Sequence, residues 1–155
     1  MHPDLRADIR QSKPFSSLEQ EAFLNVLRTE AELSDSFERV LRPFGISGAQ
    51  YNVLRILRGS DAGGLCRNEI RDRLLTRMPD VTRLLDRMED AGLITRSRSA
   101  EDRRQVTTQL TRRGRELVDE LDSAVADEHR RRLGHLDHEQ LRALVELLTL
   151  ARQGG

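Results

Sequence analysis

The chain has one cysteine in 155 residues, Cys66, which excludes an internal disulfide framework and a zinc site built from several thiolates. Aromatic residues make up 3% and tryptophan is absent, so the core has to come from Leu, Val, Ile and Ala. No stretch approaches the roughly 18 apolar residues of a membrane-spanning helix. The start, Met1-His2-Pro3-Asp4, lacks the apolar segment of a secretion signal. A cytoplasmic protein with no membrane contact is therefore expected. Lysine is almost missing as well, since 25 of the 26 basic residues are arginine and the other is Lys13. There is no Gly-rich phosphate loop, no nucleophile elbow, and no His–Cys pair with an orienting group. These absences argue against an enzyme, and no cofactor or metal is expected.

What the chain does have is charge, unevenly spread. Its 26 basic and 26 acidic residues give a net charge of zero. Residues 1–54 hold 6 basic and 8 acidic side chains, residues 55–115 hold 15 and 9, and residues 116–155 hold 5 and 9. A middle of +6 between flanks of −2 and −4 points to one surface shaped for a polyanion.

Apolar spacing divides the chain further. Residues 1–16, with Pro3 and Pro14, read as an arm. From Ser17 to Leu41 a long helix is expected, its seam formed by Phe23, Val26, Leu33, Phe37 and Val40 and continued by Phe44. Pro43 and Gly45 stop it. Ser47-Gly48-Ala49-Gln50 reads as a capping box for a helix that Gly59 closes. A short helix from about Arg67 to Leu75, burying Ile70, Leu74 and Leu75, is followed by a second one running to Ala91. Pro79 is expected in the first turn of that second helix, where its missing N–H is harmless. Val81, Leu84, Leu85 and Met88 would be its buried stripe. Two short helices joined so tightly make a helix-turn-helix pattern.

The period then changes. Residues 93–98 and 105–110 are β-prone around the charged stretch 99–104, a hairpin with a charged tip. Thr111 caps a long helix to about Arg132, and Asp137 caps a last one whose stripe is Leu141, Leu144, Val145 and Leu148. The expected fold class is mainly α with a small β-hairpin wing (α+β). It is a winged helix-turn-helix over 46–111, flanked by a long helix at 17–45 and helices at 112–155. The flanking helices are leucine seams too long to bury themselves within one compact domain.

A major groove admits one α-helix, and a flanking hairpin reaches phosphates or the adjacent minor groove. Asp80, Thr82, Arg83, Asp86 and Arg87 lie off the buried stripe, where Arg83 can contact guanine and Thr82 a phosphate or thymine methyl group. Arg77 adds charge in the turn. At the hairpin, Arg103 and Arg104 suit a narrow minor groove, with Asp102 placed to orient one guanidinium.

Asp102-Arg103-Arg104 followed by Leu110-Thr111-Arg112-Arg113-Gly114 resembles the wing signature of the MarR family of regulators. Residues 81–89 with Gly92-Leu93-Ile94 resemble its recognition helix and first wing strand, and residues 47–54 resemble the preceding helix. The likeness covers about residues 17–152. It implies a homodimeric transcriptional regulator on a near-palindromic duplex operator, most often a repressor, dimerised through the first and last helices. It also implies a small aromatic or anionic effector held between the dimer helices and the winged unit. On this chain that pocket would involve Tyr51, Phe23, Leu27, Leu54 and Leu117. Two departures stand out: Cys66 occupies a place where Ser or Thr is usual, and the turn reads Leu75-Thr76-Arg77-Met78-Pro79 rather than carrying a small residue.

Plainer readings compete at each position. Arg83 can pair along its helix with Asp80 or Asp86, and Arg103 and Arg104 can sit in a solvated turn. Cys66 reads as a small buried residue or a poor cap before it reads as a redox sensor. His135 and His138 beside Asp137 read as residues around a helix cap, and Arg130-Arg131-Arg132 as charge complementing a helix C-terminus. A winged helix also serves as a protein–protein module, the main alternative to DNA binding.

Overall fold

The computed structural model describes residues 4–98 and 104–154, and within them the helices follow the expected plan. They are α1 (Leu5–Asp8), α2 (Leu18–Leu41), α3 (Gly48–Arg58), α4 (Arg67–Arg73), α5 (Val81–Asp90), α6 (Arg112–Leu133) and α7 (His138–Gln153). Ser17 caps α2, and a single 3-10 turn at Arg42–Phe44 ends in left-handed Gly45. The Ser47 hydroxyl accepts from the Gln50 N–H at 3.2 Å while the Gln50 side chain accepts from the Ser47 N–H at 2.9 Å, so both arms of the capping box form.

Strands β1 (Leu65–Cys66), β2 (Ile94–Arg98) and β3 (Val106–Leu110) make one antiparallel sheet in the order β1-β3-β2. The wing pair runs from Ile94 opposite Leu110 to Arg98 opposite Val106. Sequence periodicity anticipates only this hairpin. The third strand is two residues long, too short to alternate, with Leu65 opposite Thr108 and Cys66 opposite Thr107. It forms because Gly64 adopts φ +79° against the Thr108 carbonyl, where a Cβ would come within 2.4 Å.

Two expectations near the turn need correction. Helix α4 stops at Arg73, and Leu74 is already extended, so Leu75 is not buried but 86% exposed. Pro79 lies outside α5. Asp80 takes the cap position instead, accepting the Arg83 N–H at 2.9 Å, because a carboxylate at the N-cap satisfies a donor that proline cannot.

The core gathers Val53, Leu54 and Leu57 of α3, Ile70 of α4, the Val81, Leu84, Leu85 and Met88 stripe of α5, and Leu93 and Ile94 of the wing. Val118, Leu121 and Val125 of α6 close it. Helix α6 starts where the wing ends. The Thr111 hydroxyl donates to the Gly92 carbonyl at 2.7 Å and accepts the Gly114 N–H at 3.0 Å. Gly114 itself lies so near the Leu93 carbonyl that a Cβ would stand 2.1 Å from that oxygen.

Farther along, α6 is tied to its neighbours by charge. Arg58 of α3 bridges Asp119 at 2.8 Å and Asp122 at 2.8 Å. Glu128, buried, accepts from the Ser36 hydroxyl of α2 and pairs with Arg131 and Arg132. Arg130-Arg131-Arg132 thus serves the α6 end and the α2–α6 contact. By contrast α7 buries no residue, with Val145 66% exposed, and α2 leaves Phe23 65% exposed. Among the described residues no helix is long and apolar enough to cross a membrane.

Two outcomes follow from this packing. Gly114→Ala should destabilise the protein by more than ~2 kcal/mol in urea denaturation, since overpacking against fixed backbone is costly. Gly63→Ala, with nothing within 4 Å of its added carbon, should be nearly neutral. The Ser36 hydrogen bond, followed by the arginines, holds the Glu128 carboxyl below its ordinary 4.5. Its stabilisation is therefore complete above about pH 4.5 and is lost as pH falls through the lower folded value. Glu128→Gln should show a smaller drop in melting temperature than wild type between pH 6 and pH 3.

Candidate nucleic-acid interface

Two of the residues singled out for a polyanion, Thr82 of α5 and Arg104 of the hairpin, line one groove. Helix α5 presents Thr82, Arg83, Asp86 and Arg87 outward because its opposite stripe is buried. A groove of about 420 Å³ opens between α5, the start of α4 and the outer part of the wing strands. Its lining includes Thr82, Arg67, Asn68, Arg96 and Arg104. Arg104, just beyond the outer end of β3, thus shares this groove with Thr82 of α5. Asp102 and Arg103 lie outside the described residues.

Some arginines of this surface are already engaged. Arg96 of β2 reaches back to α5, bonding Asp86 at 2.6 Å and Glu89 at 3.0 Å, and its N–H donates to the second Glu89 oxygen at 3.0 Å. The Arg96 hydrogen bond holds Glu89 below the usual carboxylate range, and Glu89 raises Arg96 in return. Asp86 is therefore a strap between recognition helix and wing rather than a reader. Arg67 donates to the Thr82 hydroxyl at 3.1 Å, leaving that hydroxyl its own proton to donate. Asp80 is occupied as the α5 cap.

Other arginines remain available. Among the described residues Arg77, Arg83, Arg87 and Arg98 form no ion pair, and all four are exposed. The intrahelical pairing of Arg83 with Asp80 or Asp86 does not occur, because one carboxylate caps the helix and the other faces Arg96. Sequence reasoning passed over Arg67, Asn68, Arg96 and Arg98. The spacing of Arg96 and Arg98 on alternate strand positions was a visible signal; nothing local marked Arg67 and Asn68, which β1 carries to the groove.

Cys66 is half-buried at the N-cap of α4, and its backbone N–H donates to Glu69 at 2.8 Å. It lines the same groove.

A second cavity, about 300 Å³, lies between α2, α3, α6 and the α4–α5 turn. Phe37 and Tyr51 meet edge to face at 5.5 Å, and Phe37 stacks on His129 at 6.3 Å. Arg55 also lines it, as does Arg132, which is paired with the buried Glu128 of the same wall. Burial raises the Tyr51 phenol above its ordinary value, keeping it a neutral donor. Of the five residues expected in an effector pocket, Tyr51 alone lines this cavity. Leu54 is sealed in the core, Leu117 packs against it, and Phe23 and Leu27 are exposed on α2. Phe37, Asn52 and His129 take their place, as the α2 crossing meets α3 two to four turns beyond Phe23 and Leu27.

Comparison with known proteins agrees with this geometry. The MarR family model matches residues 44–105. The uncharacterized HTH-type transcriptional regulator YfiV of Bacillus subtilis is 31% identical over 137 residues, spanning 87% of this chain and 83% of that protein. A MarR transcription factor from Planctomyces limnophilus is 41% identical, with a TM-score of 0.68 over 88% of this chain and 99% of that one. S. aureus MepR, solved in complex with DNA, is 26% identical, with a TM-score of 0.77 over 86% of this chain and 97% of that one.

The split between engaged and available arginines is measurable. Arg87→Ala should reduce the slope of log K against log salt for duplex binding by about 0.9, the share of one neutralised phosphate. Arg96→Met should weaken binding with that slope unchanged, because its charge is already balanced by Asp86 and Glu89.

Proposed function

The chain belongs to the MarR family of DNA-binding transcriptional regulators, and on that footing we propose that it is a homodimeric repressor of a near-palindromic operator. The observation that carries this reading is the set of Arg83 and Arg87, exposed and without an ion pair on α5, with Arg104 lining the groove between α5 and the wing. Two recognition helices would enter successive major grooves about 34 Å apart, with the wings over the flanking minor grooves. In this division residues 46–111 read DNA, and residues 17–45 and 112–155 join the two copies.

Dimerisation is supported by the apolar surface left open on one protomer. Phe23, Val26 and Leu27 of α2 and Val145, Leu147 and Leu150 of α7 are all exposed, more than a monomer has reason to show. A cleft between α2 and α7, lined by Val26, Leu33, Leu144 and Leu148, continues the same surface. The acidic balance of these flanking segments keeps them off DNA while the basic middle binds it.

The Tyr51 cavity is the proposed effector site. Stacking surfaces on Phe37 and Tyr51 with Arg55 alongside suit a small aromatic anion. Its place between α2, α6 and the turn before α5 lets a ligand favour one orientation of the reading unit over another, which would release the operator.

Selection of bound fragments from genomic DNA would yield the operator. On it, Arg104→Ala should lose at least ~1 kcal/mol of affinity, the scale of one good groove contact, with the dimer intact in sedimentation. Unchanged affinity in a titration at fixed salt would remove the wing from the interface. Val145→Asp should instead shift the chain toward monomer and weaken operator binding with it.

A further inference from the structure

The turn between α4 and α5 decides where the recognition helix points, yet its backbone has little to hold it. Leu74 is extended at the end of α4, and α5 restarts at Val81. Between them, the N–H of Leu75 donates to the side-chain oxygen of Asn52 on α3 at 2.9 Å. Among the described residues this is the one hydrogen bond that joins the backbone of 75–79 to another element. Apolar anchoring there comes from Met78, partly buried against the core, while Leu75 is 86% exposed.

We infer that Asn52 is a positioning residue for DNA reading, a latch on α3 that sets the turn and, through it, the approach of α5. A side-chain amide suits this task. Its oxygen accepts the orphan N–H beyond the end of α4, a donor that no helical carbonyl reaches. The bond is also placed where it can be undone. Asn52 and Leu75 both line the Tyr51 cavity, so anything filling that space meets both ends of the latch. The latch rests on the DNA-reading role of α5 and not on the existence of an effector.

The test uses the full-length protein, with amide exchange read at Leu75 and operator affinity measured in parallel. Asn52→Ala removes the acceptor, whereas Asn52→Asp keeps an oxygen in place. In Asn52→Ala the Leu75 amide should exchange at least ~10-fold faster and operator affinity should fall about 10-fold, the upper range for one lost hydrogen bond. Asn52→Asp should restore both to within about 2-fold. Fast Leu75 exchange with unchanged affinity in Asn52→Ala would overturn the latch, as would an equal loss in Asn52→Asp. A merely structural role would lower global stability in both variants without rescue. If the wild-type chain binds no selected duplex, the DNA reading fails by itself, and unaltered Leu75 exchange in Asn52→Ala is the separate failure of the latch.

Discussion

The architecture depends on one close approach, the first turn of α6 lying against the Leu93 carbonyl. Only glycine at 114 permits it, since a Cβ there would stand 2.1 Å from the oxygen. Thr111 locks the same joint by capping α6 and donating to the Gly92 carbonyl. Three parts with different tasks meet at this point: the end of the recognition helix, the wing strands, and the long helix that leads to the proposed dimer surface. With the joint closed, the Leu84–Leu85–Met88 stripe and the Val118–Leu121 stripe share one core. The orientation of α5 is then set relative to α6, and through α6 relative to the proposed dimer surface.

Electrostatics completes what that joint begins. The +6 segment is not a uniform basic patch. Arg58 is committed to Asp119 and Asp122, Arg71 to Asp72, and Arg96 to Asp86 and Glu89. These pairs spend positive charge on geometry, fixing α3 to α6 and the wing to α5. Arg77, Arg83, Arg87 and Arg98 stay exposed and without an ion pair among the described residues. The neutral total and the basic face are thus compatible. The acids of the reading segment sit largely where they orient arginines or cap helices.

Much of this was legible in the sequence, because it rests on local chemistry. The Ser47–Gln50 capping box, the Thr111 and Asp137 caps, the α5 stripe and the β-prone stretch 105–110 each carry their own signal, and each stands where that signal placed it. The exposed recognition-helix arginines followed from the stripe. Other features depend on contacts distant along the chain. Strand β1 is too short for a period and exists only as a partner of β3. Leu75 looked like the next apolar residue of α4, but Leu74 had already left the helix. Asp80 looked like a surface acid and proved to be the cap that displaced Pro79. The cavity beside Tyr51 is lined by Leu33, Ser34 and Phe37 of α2 rather than by Phe23 and Leu27, because the packing of α2 on α3, not spacing along α2, decides which turn faces Tyr51. The Glu128–Ser36 contact joins residues 92 positions apart, beyond any local pattern.

The proposed assembly is two copies of one reading unit held at a fixed separation on duplex DNA. Hydroxyl-radical footprinting of the full-length chain on its selected duplex tests that most directly. It should show two protected stretches related by a near-dyad and centred about ten base pairs apart, with further protection in the minor grooves outside them. A single protected stretch, or protection with no fixed spacing, would contradict it.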